Sequence, residues 1–255
     1  MLIFERTYPV NVTDADLTGR LSPGSLFNYF QDLAGRHASS LGFGREHLMT
    51  SGFFWVLSRM TVEIVSLPVQ WDEVTVRTWP RGTDTIFALR DFEMFDTHGN
   101  RMAGATSSWV IVDYETRRVQ RPDKALSFLN ARFPDQRALD TNACKIPPIP
   151  PGEHIVTAMK AKLDDIDINM HVNNARYLHW VMNCYEPEFI SSFTPDMIEV
   201  NYLAEGHRDD MINIITEKGD TRSGSFIHSV IREGDSTELC RIRIRWKENK
   251  LKNLY

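Results

Sequence analysis

The sequence predicts an α+β protein made of two tandem units, each a helix lying against an antiparallel sheet. Three observations predict it. A long amphipathic helix near the N-terminus is followed by strand-like runs, the same pattern returns in the C-terminal half, and a proline-rich connector lies between the two. At 255 residues, 42% apolar and 25% charged, the chain is long enough to bury a real core and has the composition of a globular protein.

Residues 4–12 read as a first strand. Ser22 is placed to cap a helix that carries Pro23 at its first position, where a missing N–H costs nothing. Leu26, Phe30, Leu33, His37 and Leu41 then recur at spacings of three and four, so one wide face is apolar and suits packing on a sheet. Gly42 and Gly44 end the helix, and the Gly42-Phe-Gly44 stretch is too short for a nucleotide loop. Strand-like runs follow at Trp55–Val65, Glu73–Trp79, Thr85–Phe95 and Met102–Val112, with Asp96-Thr-His-Gly-Asn100 as a hairpin turn.

An offset of 151 carries Asp14, Asp16, Thr18 and Arg20 onto Asp165, Asp167, Asn169 and His171. Further on the offset is 137, which carries Trp71-Asp-Glu-Val74 onto Arg208-Asp-Asp-Met211 and Trp109 onto Trp246. The difference falls in the helix-to-strand connection, around residues 35–54, where insertions are tolerated. The expected units are residues 1–115 and 153–255. The connector, 116–152, holds Arg117, Arg118, Arg121, Lys124, Arg132, Arg137 and Lys145, then Pro147-Pro148-Ile-Pro150-Pro151, a semi-rigid boundary. Arg241-Ile-Arg-Ile-Arg-Trp246 alternates as a half-buried strand does, and its arginines are expected to form a solvated face.

The net charge of −5 argues against general nucleic-acid binding. No apolar run reaches the roughly 18 residues of a membrane span. Met1-Leu-Ile-Phe-Glu-Arg-Thr-Tyr8 lacks the layout of a signal or transit peptide. Cys144, Cys184 and Cys240 are isolated thiols without metal-ligand spacing. A cytoplasmic location is expected.

The chemistry concentrates in Asp165-Ile-Asp-Ile-Asn-Met-His-Val-Asn-Asn174. Read as an extended segment, it projects Asp167, Asn169 and His171 to one side and Ile166, Ile168, Met170 and Val172 to the other, a buried strand with a functional face. Asn173 and Asn174 are helix caps, so the polar trio precedes a helix spanning the apolar run Ala175–Tyr185. An imidazole titrates near neutrality and can move protons; the alternative for His171 is a hydrogen-bonded core histidine. Asn169 can donate to a developing oxyanion or position water, or serve as a turn residue. Glu205, near the end of a predicted strand, is either a partly buried base or an exposed strand-end carboxylate. His207 is expected to face solvent. Only the second copy keeps an imidazole, so a single active site is expected.

These residues resemble a known family. The 165–174 stretch, Tyr202-Leu-Ala-Glu-Gly-His-Arg-Asp209, Ala105-Thr-Ser-Ser-Trp-Val110 with Thr116-Arg-Arg-Val-Gln-Arg121, Asn28-Tyr-Phe-Gln-Asp-Leu-Ala-Gly-Arg-His37 and Trp55-Val-Leu-Ser-Arg-Met60 are similar to the acyl-acyl carrier protein thioesterases of plants and bacteria. The resemblance spans nearly the whole chain. It implies a tandem double hot-dog fold, each unit a long helix wrapped by an antiparallel sheet. It also implies hydrolysis of a fatty acyl-acyl carrier protein thioester, which releases free fatty acid and terminates chain elongation. Asp167, Asn169, His171 and Glu205 match the catalytic set, and the first unit is implied to hold the acyl chain. No cofactor is implied beyond the phosphopantetheine on the substrate, and no metal. Plant members commonly carry cysteine after the glutamate; Gly206 stands there, which favours attack by water. The missing transit peptide suggests a bacterial member. The implied partner is an acidic acyl-loaded carrier protein, drawn by local positive charge, and a homodimer stays open beside a monomer. The rivals are an acyl-coenzyme A thioesterase, a non-catalytic acyl-binding protein and a hot-dog dehydratase.

Overall fold

The structure, a computed structural model, describes residues 2–122, 133–218 and 224–249. Lys124 and Arg132 of the basic connector lie outside the described residues. The first half contributes β1 (Phe4–Pro9), α1 (Pro23–Ser40), α2 (Arg45–Thr50), β2 (Phe53–Ile64), β3 (Glu73–Asp84), β4 (Phe87–Phe95), β5 (Arg101–Asp113) and the short β6 (Val119–Gln120). The second contributes β7 (Ile155–Lys160), α3 (Asn174–Met182), α4 (Pro187–Ser192), β8 (Phe193–Tyr202), β9 (Met211–Lys218), β10 (Ser225–Arg232) and β11 (Thr237–Glu248).

The described strands form one 11-stranded sheet in the order β1-β3-β4-β5-β2-β8-β11-β10-β9-β7, with β6 beside β5. Its neighbouring strands are antiparallel throughout. The halves meet where β2 pairs with β8, Thr61 opposite Glu199 and Val62 opposite Ile198. The 137 offset carries Thr61 onto Ile198 and Val62 onto Glu199, so the junction has the register of a local two-fold axis.

The sequence explains α1 closely. Ser22 Oγ accepts from the Ser25 N–H at 3.2 Å, with Pro23 at the first position. Leu26, Phe30 and Leu33 are fully buried, and the Phe30 ring stacks on Phe92 of β4 at 5.0 Å. Each such burial contributes about 1.5–3 kcal/mol. Helix α3 lies beside α1, and Gly24 allows the approach: a Cβ there would sit 2.3 Å from the His179 imidazole. Helix α3 is nine residues against eighteen for α1, shorter than the expected run to Tyr185 and not a long helix. It is capped by Asn173, whose Oδ1 accepts from the Ala175 N–H at 2.9 Å. A turn at Asn183 stops it and Pro187 starts α4.

The connector straps the outer face of the sheet. The Ala138 N–H donates to Asp91 at 2.9 Å, and Asn201 both accepts from the Ile146 N–H at 2.8 Å and donates to the Cys144 carbonyl at 2.9 Å. Ile242 and Ile244 are fully buried. The alternating arginines of β11 each meet a carboxylate, Arg241 on Glu238, Arg243 on Glu199 and Arg245 on Asp196, so their charge is locally neutralised.

Candidate active site

The stretch expected as a buried strand is a turn, and this corrects the sequence reading. Leu163–Asp165 is a single 3-10 turn and Ile166 bridges Val172. Between them the Asp167 N–H donates to the His171 carbonyl at 2.8 Å, and the Met170 N–H donates to the Asp167 carbonyl at 3.0 Å. The Asp167 carboxylate accepts from the Asn169 N–H at 2.8 Å, a side-chain-capped turn of the kind aspartate forms two residues ahead of itself. Ile168 and Met170, expected inside, are 77% and 73% exposed, because a tight turn has no inner face for them.

The first half repeats this turn bond for bond. Asp16 N–H to Arg20 carbonyl is 2.8 Å, Gly19 N–H to Asp16 carbonyl is 2.9 Å, and Thr18 N–H to Asp16 Oδ1 is 2.8 Å. Gly19 takes φ +75°, and at the matching place Met170 takes φ +65°, a conformation that costs a residue with a Cβ roughly 1–2 kcal/mol. Strain therefore sits between Asn169 and His171, in the copy that keeps the imidazole.

The second site segment follows β8. Glu205 lies in the loop past Tyr202, its side chain 40% exposed, with Oε2 3.4 Å from His171 Nε2. The two segments are tied by the backbone, since the Val172 N–H donates to the Gly206 carbonyl at 2.8 Å and Arg232 donates to the Glu205 carbonyl at 3.2 Å. Asp167 and Asn169 form one pair and His171 with Glu205 another. No side-chain hydrogen bond among the described residues joins the pairs. His207 is exposed, and its ring meets His171 edge-on at 5.2 Å.

Arg45 of the first half and Arg117 at the start of the connector complete the site; sequence reasoning missed Arg45 and placed Arg117 only in the basic set of the connector. Arg45 at the start of α2 donates from Nε to Asn169 Oδ1 at 3.0 Å. Arg117, whose guanidinium lies over the rings of Phe54 and Tyr114, reaches Glu205 Oε1 at 3.8 Å. Neither carries a local signal, because each contact spans the two halves. The site thus lies between the halves. Beside it, under α2 and the end of α1, Ala38, Phe43, Leu48 and Ile111 form a small apolar cluster with Leu41, Phe53 and Trp55.

The matching place in the first half is closed. Arg20, which stands where His171 does, donates to Thr194 and Asn249 at 3.4 Å each. The cavity beside it, about 10 Å³ among Met182, Ile190, Phe193 and Trp246, holds about one water at most.

A profile of the acyl-ACP thioesterase N-terminal domain matches residues 1–126, and one of the acyl-ACP thioesterase C-terminal domain matches residues 150–248. The chain belongs to the acyl-ACP thioesterase family. It is 27% identical over 256 residues to the chloroplastic oleoyl-acyl carrier protein thioesterase 1 of Arabidopsis thaliana, covering 88% of this chain and 70% of that one. Among solved structures, it is similar to an acyl-ACP thioesterase from Bacteroides thetaiotaomicron at 26% identity and TM-score 0.78, covering 96% and 98% of the two chains. The fold is shared with the 12:0-ACP thioesterase from Umbellularia californica at 23% identity and TM-score 0.86, over 98% of each. The architecture is the tandem double hot-dog of this family of thioester hydrolases, and none of the described helices is long and apolar enough to cross a membrane.

Proposed function

We propose that this chain hydrolyses fatty acyl-acyl carrier protein by direct attack of water, with Glu205 and His171 as the activating pair. The observation that carries the reading is the 3.4 Å approach of His171 Nε2 to Glu205 Oε2, made by two segments that sequence alone leaves apart. Water loses its proton to this pair as its oxygen bonds to the thioester carbon. The tetrahedral intermediate then expels sulfur, which leaves with the proton as the phosphopantetheine thiol. Gly206 follows the glutamate, so no side-chain nucleophile is available at that position.

Asn169 stabilises the developing oxyanion. Its Oδ1 is occupied by Arg45 and its Nδ2 donates one hydrogen to Asp167 Oδ2 at 3.5 Å, which leaves the other Nδ2 hydrogen for the carbonyl oxygen. Asp167 holds the turn in which Asn169 and His171 stand. The acyl chain enters the first unit beside the C-terminal half of α1, where the Phe43 and Leu48 cluster begins. The second unit, from about residue 153, carries the chemistry. Acidic carrier protein docks across the rim that bears Arg45, Arg117 and Arg118, drawn by charge that salt screens. The three free thiols suit a cytoplasmic setting.

The test is release of free fatty acid from carrier-loaded acyl chains of graded length, with acyl-coenzyme A in parallel. His171→Ala and Glu205→Gln should each lower turnover about 10²- to 10⁴-fold without loss of folding. Near-normal turnover in either variant overturns the assignment, and equal rates on coenzyme A substrates overturn the choice of carrier protein.

A further inference from the structure

His171, Glu205 and His207 each offer a donor atom, and the three atoms lie within 4.8 Å of one another. We propose that they form a binding site for a divalent transition metal of the zinc class, and that the loaded site is inhibited. Two imidazoles and one carboxylate are the donor set such ions take from proteins, with a fourth position left to solvent. Bonds of about 2.05 Å in a tetrahedron set donors roughly 3.3 Å apart, and His171 Nε2 already stands 3.4 Å from Glu205 Oε2.

Two ligands are placed in advance. His171 leaves a turn closed by its own carbonyl, and Glu205 leaves a loop whose carbonyls accept from Arg232 and Val172. The third can adjust, because His207 is exposed and its hydrogen bonds are made by its backbone, the N–H donating to the Asp210 carboxylate at 2.9 Å and the carbonyl accepting from the Asp210 N–H at 3.3 Å. Arg117 opposes the cation, but it lies 3.8 Å from Oε1, the other oxygen of Glu205. Inhibition rests on the proposed function: the metal takes the His171 and Glu205 lone pairs through which water would be activated.

The experiment titrates zinc and cobalt(II) into the full chain, freed of any affinity tag, and reads binding by calorimetry and by the visible absorption of four-coordinate cobalt. One ion per chain is expected. His207→Ala should weaken binding by about 100-fold, since losing a ligand exceeds the loss of a supporting contact, and Arg117→Gln should tighten it. Cys144→Ser, which removes the exposed thiol, should leave binding unchanged. Hydrolysis should fall with zinc, return with chelator, and in His207→Ala need far more zinc for the same fractional loss.

No binding, or binding that follows Cys144 instead of His207, overturns the site. Binding with undiminished or increased hydrolysis overturns the inhibition. A chain that binds metal here yet hydrolyses no acyl-carrier substrate would sink the proposed function and leave the metal site standing.

Discussion

Gly206 is the point at which the two site segments can be pried apart. A Cβ added there would sit 2.7 Å from the Tyr177 hydroxyl, 3.1 Å from a Val172 methyl and 3.2 Å from a Leu239 methyl. Tyr177 is only 2% exposed and cannot swing into solvent, so Gly206→Ala must shift the loop. Overpacking of this kind costs about 1–3 kcal/mol. A loss of about 2 kcal/mol lowers the melting temperature by roughly 4–8 °C in a chain of this size. Turnover should fall as well, because Glu205 is the adjacent residue and its distance to His171 is fixed through the bond from Val172 to the Gly206 carbonyl. Tyr177→Phe alone removes the buried hydroxyl and leaves a small gap beside Gly206. The double variant should be more stable than the sum of the two, since the alanine then fills the space of the missing oxygen. Thermal melts and steady-state hydrolysis on the four proteins decide it. Additive losses in the cycle, or Gly206→Ala with unchanged melting and turnover, would refute the packing argument.

Met170→Gly should raise stability by about 1 kcal/mol by relieving the left-handed backbone, read as a shift in denaturant midpoint; no shift, or a loss, contradicts the strain. His228 is held neutral by burial, its pKa pushed down to about 3, between the Tyr185 hydroxyl at 2.7 Å and Thr216 at 3.0 Å. The unfolded imidazole takes up a proton below about pH 6.5, so this contribution is complete above that pH and is lost as pH falls toward 3, by about 2 kcal/mol between 6.5 and 5. The stability gap between wild type and His228→Gln should therefore shrink from pH 7 to pH 5, and a constant gap rejects the idea. Ala38→Phe, on the α1 face over the Phe43 and Leu48 cluster, should shift released fatty acids toward shorter chains; an unaltered product profile argues against that path for the acyl tail.

Much of this was legible in the residues. The cap at Ser22, the buried stripe from Leu26 to Leu33 and the alternation at 241–246 are local patterns, and local patterns carry their own periodicity. The turn at 165–172 was misread for the same reason: apolar and polar residues alternate there too. Asp167 and Asn169, both turn formers, were the signal that should have outweighed the alternation. The pairing of His171 with Glu205, and the reach of Arg45 and Arg117 across the halves, depend on the β2 to β8 junction, for which no window of sequence holds the information. Helix α2 was missed because six residues after a glycine pair show too little periodicity to register.

That junction has a consequence for how such a molecule can change. When two matching lobes are separate copies of one polypeptide, any substitution appears in both and must suit both. Tethered in a single chain, as here, they are free to drift apart: an arginine can seal one mouth at Arg20 while the other keeps its histidine. Severing the tether would leave each lobe with a bare strand, β2 or β8, ready to zip onto a twin of itself. A homodimer made that way would have two sealed mouths or two open ones, and the asymmetry would be gone.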